Sequence, residues 1–271
     1  MSIAEKLTLI AENEQKVYDA GFEKGKASGG SGYDEGFADG KKAEYDAFWD
    51  QYQQNGLRTH YAYAFAGGGW TAEIFKPKYA LDNITNAQYM FNCFDMFQTE
   101  LYDLKQGLED MGIAWDTSKA PDITHMFSNA RIGVVPTMDC SGCKAIAIFL
   151  QSAKVHTIEK MIVFEELVFN ANAFTGAKEL RNISFEGIIG SNIDFQACTL
   201  LTRASIESII THLSDTASGK TLTLSKTAAD TAFPCWWDNP QTGQRENIGC
   251  GGNGEWIDLK DRKSNWTITL V

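Results

Sequence analysis

Three copies of one sequence pattern restrict what this chain can fold into. The stretches "FSNARIGVV", "LQSAKVHTI" and "FTGAKELRNI" each open on a large apolar residue and continue with two small or polar residues, an alanine and a basic residue. The alanines, Ala130, Ala153 and Ala177, lie 23 and 24 residues apart. A period near 23 residues is typical of solenoid proteins, in which each coil stacks on the next. The repeat therefore predicts a parallel β solenoid.

The residue types within the repeat indicate which side chains fill the interior of this solenoid. The large residue fills the space between coils, and the alanine is small where the chain turns inward. An apolar pair spaced by three then begins the strand, while the basic residue faces water. The residues predicted to fill the interior are Phe127, Val135, Leu150, Ile158, Phe174 and Ile183.

Residues 1–56 have the pattern of a helical, coiled-coil-like arm with a glycine-rich neck. Apolar residues recur at alternating steps of four and three, and such a narrow stripe needs a partner helix. Leu7 occupies one core position of the heptad, and the β-branched Ile3, Ile10 and Val17 occupy the other. This arrangement favours three or more strands over two, so a homotrimer is expected. A helix folded onto its own globular domain is the alternative. The residues predicted to mediate oligomerisation or attachment are Ile3, Leu7, Ile10 and Val17.

Two further regions follow the arm. Residues 57–204 hold an aromatic, glycine-rich N-terminal cap and then the repeats, and residues 205–271 form a C-terminal cap. In this cap "TRASIESIITHLSD" has the period of a helix, whereas "TLTLSK" and "NWTITLV" alternate as half-buried strands do. A solenoid needs such caps because its end coils would otherwise expose their apolar faces.

Charge and hydropathy exclude several classes of partner. The formal net charge is -11, and no Lys/Arg cluster offsets it, which argues against nucleic acid or an anionic membrane as the main partner. The chain contains no run of 18 apolar residues, and charges recur through its first residues where a signal peptide would be apolar. We therefore expect a protein that is made soluble inside a cell and is not inserted into a membrane.

The residues that usually carry chemistry are scattered. The four histidines lie far apart, no GxSxG motif occurs, and no catalytic residues can be assigned, so we expect no enzyme. The "CSGC" at Cys140–Cys143 has the spacing of half a zinc site, but no second half-site accompanies it. Small buried residues at a turn are the stronger interpretation, and neither metal nor cofactor is expected.

A loop at residues 234–256 has the composition of a binding site. Tryptophans offer flat apolar faces, polar side chains offer hydrogen bonds, and glycines let the backbone approach a ligand closely. The alternative is that the tryptophans only cover the end of the solenoid. Cys235 and Cys250 bracket this loop and could pair in an oxidising setting. The residues predicted to bind a ligand are Trp236, Trp237, Asn239, Arg245 and Trp256.

The repeats resemble the BspA-like leucine-rich repeat family. The stretch "WDTSKAPDITHMFSNA" is similar to the unit found in bacterial surface proteins of that family, and the resemblance covers about residues 81–204. It implies an α/β fold of the leucine-rich-repeat type, that is, a parallel β solenoid with end caps behind the helical arm.

The flanking stretches "AEYDAFWDQYQQNG", "FKPKY", "SIESIITHLSD" and "NWTITLV" resemble small repeat proteins encoded by phages and prophages of gut Firmicutes. This second resemblance implies a virion structural protein of a tail, baseplate or fibre, made in the host bacterial cytoplasm. Its arm would bind other virion proteins, and its repeats would bind a glycan or protein of the host surface. The alternatives are a bacterial or prophage adhesin outside any virion, and a head fibre or capsid decoration protein.

Overall fold

The protein combines short β-strands with α-helices. The computed structural model describes residues 64–70, 81–96 and 100–271, and within them the strands form five small sheets. All of these residues except Trp70 belong to one compact unit. The predicted arm, with Ile3, Leu7, Ile10 and Val17, lies outside the described residues, as does most of the predicted aromatic cap.

The elements follow one another in a mixed α/β order. The strands are β1 (Gly68–Trp70), β2 (Asp95–Met96), β3 (Tyr102–Asp103), β4 (Arg131–Val135), β5 (Met138–Asp139), β6 (Ala145–Ile146), β7 (Lys154–Val163), β8 (Val168–Phe169), β9 (Asn182–Gly187), β10 (Ile193–Phe195), β11 (Lys220–Leu224), β12 (Trp236–Asp238), β13 (Arg245–Asn247) and β14 (Trp266–Leu270). The α-helices are α1 (Leu104–Asp110), α2 (Arg203–Thr211), α3 (Lys226–Ala232) and α4 (Gly254–Asp261), and a short 3-10 helix spans Cys250–Gly252.

The largest sheet has five parallel strands in the order β3-β4-β7-β5, with β9 also paired to β7. Strands β4 and β7 place Arg131 beside Lys154 and Ile132 beside Val155. These partners occupy equivalent positions in two copies of the sequence pattern and are 23 residues apart. The pattern therefore corresponds to the local register between these two strands.

This sheet ends at β9 because helix α2 covers its edge. The backbone N–H groups of Ile183 and Phe185 donate to the hydroxyls of Ser205 and Ser208, each at 2.9 Å. An exposed strand edge presents unpaired donors that invite another strand. Here two serine side chains on a helix satisfy these donors, so no further strand extends the sheet at this edge.

The fold class predicted from the repeat, a leucine-rich-repeat-type parallel β solenoid, is wrong. The described strands are distributed over five separate sheets of two to five strands, and the β12–β13 pair is antiparallel. The repeat spacing specifies which neighbouring strands pair. It does not make the ladder continuous, because most of the strands are only two or three residues long and α2 ends the largest sheet.

All six side chains predicted to be interior are buried. Around them the phenylalanines form a chain of ring contacts: Phe91 stacks on Phe127 at 5.3 Å, and Phe127 meets Phe149 edge-on at 5.4 Å. Phe174 stacks on Phe195 at 4.4 Å. Each fully buried phenylalanine contributes about 1.5–3 kcal/mol relative to an exposed one, so these rings are a main source of stability.

The helix and the two strands predicted in the C-terminal region are confirmed as α2, β11 and β14. Strand β14 pairs with β11. Side chains at and just before the start of β14 donate hydrogen bonds to the segment that follows α2. Lys263 Nζ donates to the Leu213 carbonyl and to the Asp215 carboxylate, each at 2.6 Å. The indole N–H of Trp266 donates to the Ser214 carbonyl at 2.9 Å. These donors fix the C-terminal segment against the end of α2.

Candidate functional site

A β-hairpin at residues 235–248 carries two exposed tryptophans, Trp236 and Trp237. Its strands β12 and β13 run antiparallel, and Asn239 organises the turn between them. The Asn239 side-chain oxygen accepts from the backbone N–H of Gln241 at 2.9 Å, and the Asn239 backbone carbonyl accepts from Gly243 at 2.8 Å. Gly243 has a φ of +67°, a left-handed conformation that glycine adopts at low cost.

Both faces of this hairpin are open to solvent. The side chains of β12 and β13 are all exposed, and the exposed fractions of Trp236 and Trp237 are 52% and 44%. Ile248, just after β13, is also exposed. An isolated two-stranded hairpin is only marginally stable in water. The geometry of this hairpin must therefore be held from its base.

Hydrogen bonds at the base supply that support. The Ile248 N–H donates to the Cys235 carbonyl at 2.8 Å, and the Asn253 side-chain amide donates to the Pro234 carbonyl at 3.0 Å. The Asn247 amide donates to the backbone carbonyl of Asp230 in α3 at 3.2 Å. The hairpin is thus attached on both of its strands, and its tryptophans project from a fixed base.

Asp230 is the central charged residue of this base. Its carboxylate accepts from the backbone N–H of Cys250 at 2.9 Å and from the Lys226 ammonium. Burial opposes ionisation of Asp230, but these hydrogen bonds outweigh it and lower the pKa of the carboxyl. Burial and the neighbouring Asp230 raise the pKa of the Cys250 thiol to about 11. Cys235 and Cys250 are both free thiols in this structure.

The two faces of the hairpin differ in chemistry. In the antiparallel register Trp236 lies opposite Asn247, Trp237 opposite Glu246, and Asp238 opposite Arg245. Side chains alternate between faces along a strand, and directly opposed residues share a face. One face, called here the Trp236 face, therefore carries Trp236, Asp238, Arg245 and Asn247. The other, the Trp237 face, carries Trp237 and Glu246.

On the Trp236 face the groups contact one another. The guanidinium carbon of Arg245 lies 5.6 Å from the centroid of the Trp236 ring, a cation–π contact. The Arg245 Nε lies 4.0 Å from an Asp238 carboxylate oxygen. Asn247 is engaged with Asp230, as described above. A ligand on this face would have to displace Arg245 from the ring.

On the Trp237 face the aromatic ring stands beside a carboxylate. Glu246 lies directly opposite Trp237 and accepts a hydrogen bond of 2.9 Å from the Asn239 amide. That bond fixes the carboxylate without neutralising it. The face therefore combines a flat apolar ring with a negatively charged acceptor.

Trp256, also predicted to bind the ligand, lies elsewhere. It belongs to helix α4, its exposed fraction is 4%, and its ring packs 5.4 Å from Phe233. Asn253 is the N-cap of the same helix and accepts from the Trp256 N–H at 3.1 Å. Four of the five predicted binding residues thus lie on the hairpin, whereas Trp256 is part of the core beneath it.

Other candidate sites are less open or have their charges paired internally. A cleft of about 470 Å³ beside the largest sheet contains Arg131 and His156. Arg131 pairs with Asp95 at 3.0 Å, and His156 lies 3.3 Å from Glu179. Cys140 and Cys143 are both buried. Within the described parts of the chain no group of three or more His, Cys, Asp or Glu residues is placed to hold a metal ion.

The sequence of residues 234–256 predicts a loop, whereas the structure has a hairpin there whose base is organised by Asp230. The hairpin had a signal, since "NPQTG" is a run of turn residues between two short segments. Asp230 had none, because its role depends on contacts with residues 17 and 20 positions later, Asn247 and Cys250.

Comparison with known proteins identifies no relative: no family model, no curated protein and no solved structure matches this chain. In the part of the chain that the structure describes, no helix is long and apolar enough to cross a membrane.

Proposed function

We propose that this chain is a non-enzymatic attachment protein of a phage virion and that the hairpin is its contact surface for the host. The observation that carries the binding role is the exposure of Trp236 and Trp237 on a hairpin fixed at its base. Large exposed aromatic side chains are enriched in interaction sites, and a fixed base reduces the entropy lost on binding.

The virion assignment rests on the sequence resemblance of the flanking stretches to phage-encoded repeat proteins. In this proposal residues 1–56 join the protein to other virion proteins, as a trimer, through Ile3, Leu7, Ile10 and Val17. The position would be a tail, baseplate or fibre, with a head fibre or decoration protein as a variant of the same role. A bacterial adhesin is the second candidate, because the exposed hairpin would serve a cell-bound protein equally well.

The contact surface can be tested with the full chain and cells of gut Firmicutes. The double variant Trp236→Ala/Trp237→Ala should reduce cell attachment at least about tenfold, equivalent to about 1.4 kcal/mol of binding free energy. The matched control is Ile188→Ala/Leu200→Ala, which removes two exposed apolar side chains outside the hairpin. Equal attachment by the two double variants would refute the hairpin as the contact surface.

The virion assignment has its own test. Particles induced from a lysogen that carries the gene should contain the protein in stoichiometric amounts, measured by mass spectrometry of the purified particles. Detection of the protein on the bacterial surface, but not in particles, would favour the adhesin.

A further inference from the structure

Resting on the proposed contact role of the hairpin, we infer that its Trp237 face binds a neutral polysaccharide and that its Trp236 face does not. The two faces are distinguished by the register of β12 and β13, which places Arg245 against Trp236 and Glu246 beside Trp237.

Arg245 restricts the access of a ligand to the Trp236 ring. Arg245 covers one side of the Trp236 ring, and its Nε lies 4.0 Å from an Asp238 carboxylate oxygen. A ligand stacking there would have to break this cation–π contact. Trp237 lies on the opposite face from Arg245, so stacking on its ring does not require this displacement.

The flat ring of Trp237 matches the shape of a pyranose sugar. A pyranose ring has an apolar face of C–H groups and a rim of hydroxyls. Such a face matches the flat surface of an indole through dispersion and weak C–H contacts. The rim hydroxyls can then donate to a carboxylate beside the ring, and Glu246 lies directly opposite Trp237. A ring with a neighbouring acceptor is therefore suited to a polyhydroxylated ligand.

The charge on the Trp237 face favours a neutral ligand. The charged residues of the hairpin are Asp238, Arg245 and Glu246, and Glu246 lies on the Trp237 face. Its carboxylate, in a chain of net charge -11, repels an anionic polymer. The turn residues Gln241, Thr242 and Gln244 are polar and uncharged, which suits a neutral ligand with hydrogen-bonding groups. Cationic ligands are recognised by cages of several aromatic rings. The Trp237 face has one aromatic ring, and its carboxylate already accepts a hydrogen bond from Asn239, so it does not form such a cage.

The experiment compares matched single variants on defined probes. Full-length protein and its Trp236→Ala, Trp237→Ala and Glu246→Gln variants are run by affinity electrophoresis and titrated calorimetrically. The neutral probes are mannan, galactan and N-acetylchitohexaose, the anionic probe is polygalacturonate, and the cationic probe is chitosan. Circular dichroism confirms that each variant is folded.

We expect at least one neutral probe to bind, Trp237→Ala to weaken that binding at least about tenfold, and Trp236→Ala to weaken it less than about threefold. Glu246→Gln should weaken it by an intermediate factor, because the amide is a weaker acceptor than the carboxylate. The inference is overturned if no neutral probe binds at millimolar sugar, if only polygalacturonate or chitosan binds, or if the two tryptophan variants lose binding equally.

Isolated cell walls of gut Firmicutes separate this inference from the proposed function. Attachment that requires the hairpin and is abolished by periodate, which cleaves vicinal diols of sugars, supports both. Attachment that requires the hairpin, is abolished by protease and resists periodate would leave the proposed function standing. It would overturn the inference that the ligand is a polysaccharide. Attachment unaffected by Trp236→Ala/Trp237→Ala refutes the proposed function itself.

Discussion

Four tryptophans in the C-terminal region form two pairs in opposite environments. Trp256 and Trp266 are 4% and 6% exposed, and both are part of the core. Trp236 and Trp237 lie within thirty residues of them in the sequence, yet about half of each side chain is open to water. The residue type is the same, so the difference comes from the backbone that carries it: a packed helix and strand in one case, and a projecting hairpin in the other.

This comparison distinguishes tryptophans that stabilise the core from tryptophans that we propose contact a ligand. The buried pair is held by intramolecular partners, since Trp266 donates to Ser214 and Trp256 packs on Phe233. The exposed pair contributes little to the core and remains available for a ligand. Substitutions in the two pairs should accordingly affect different measurements.

The largest effect is expected for the buried pair. Trp266→Ala removes a buried aromatic side chain and leaves a cavity, which should cost about 3–5 kcal/mol of unfolding free energy. Urea denaturation followed by circular dichroism measures it. The double variant Trp236→Ala/Trp237→Ala serves as the control of equal chemistry, and a similar loss in both proteins would contradict the division into core and contact residues.

A smaller loss is expected when the donor next to the buried pair is removed. Lys263→Met keeps the alkyl stem but deletes the ammonium that donates to the Leu213 carbonyl and Asp215. A buried carbonyl left without its donor costs about 1–3 kcal/mol. The urea midpoint should fall accordingly, whereas the exposed Lys154→Met should leave it nearly unchanged. Equal midpoints for the two variants would show that the Lys263 bonds do not contribute.

The sequence predicted some of these elements and not others, for physical reasons. Strands β11 and β14 and helix α2 were predictable because periodicity reports which face of a segment is buried. The end of the largest sheet was not, because Ser205 and Ser208 look like ordinary polar helix residues until their hydroxyls are seen bound to β9. Trp256 and Trp237 could not be told apart by composition, since their burial depends on distant partners.

A weaker, pH-dependent effect is expected at the base of the hairpin. The folded state lowers the pKa of Asp230 below its usual value of 3.8. The stabilisation of the folded state by the ionised Asp230 carboxylate is therefore fully present above pH 3.8. It is lost as the pH falls through the lower pKa that Asp230 has in the folded protein. The melting temperature of the wild type should drop over this acid range, and Asp230→Asn should show a shallower drop. Parallel curves for the two proteins would contradict the role of this carboxylate.

The smallest effect on stability is expected for the exposed pair. Trp236→Ala/Trp237→Ala should change the free energy of unfolding by no more than about 0.5 kcal/mol, as for most exposed positions. The same variant should lose part of the acrylamide-quenchable tryptophan fluorescence, because Trp236 and Trp237 are both exposed. An unchanged quenchable fraction would contradict the exposure of these two indoles.

The spacing of the hydrogen bonds has a consequence for the order of folding. Many side-chain bonds around the largest sheet join residues 22–26 positions apart, such as Thr137 with Glu159 and Lys160 with Glu186. The bonds from Lys263 and Trp266 to the end of α2 span 48–52 positions. Each doubling of the length of a loop raises the entropic free-energy cost of closing it by about 0.6 kcal/mol. The C-terminal strand therefore closes the longer loop, and in pulsed hydrogen exchange its amides should become protected after those of β7 and β9.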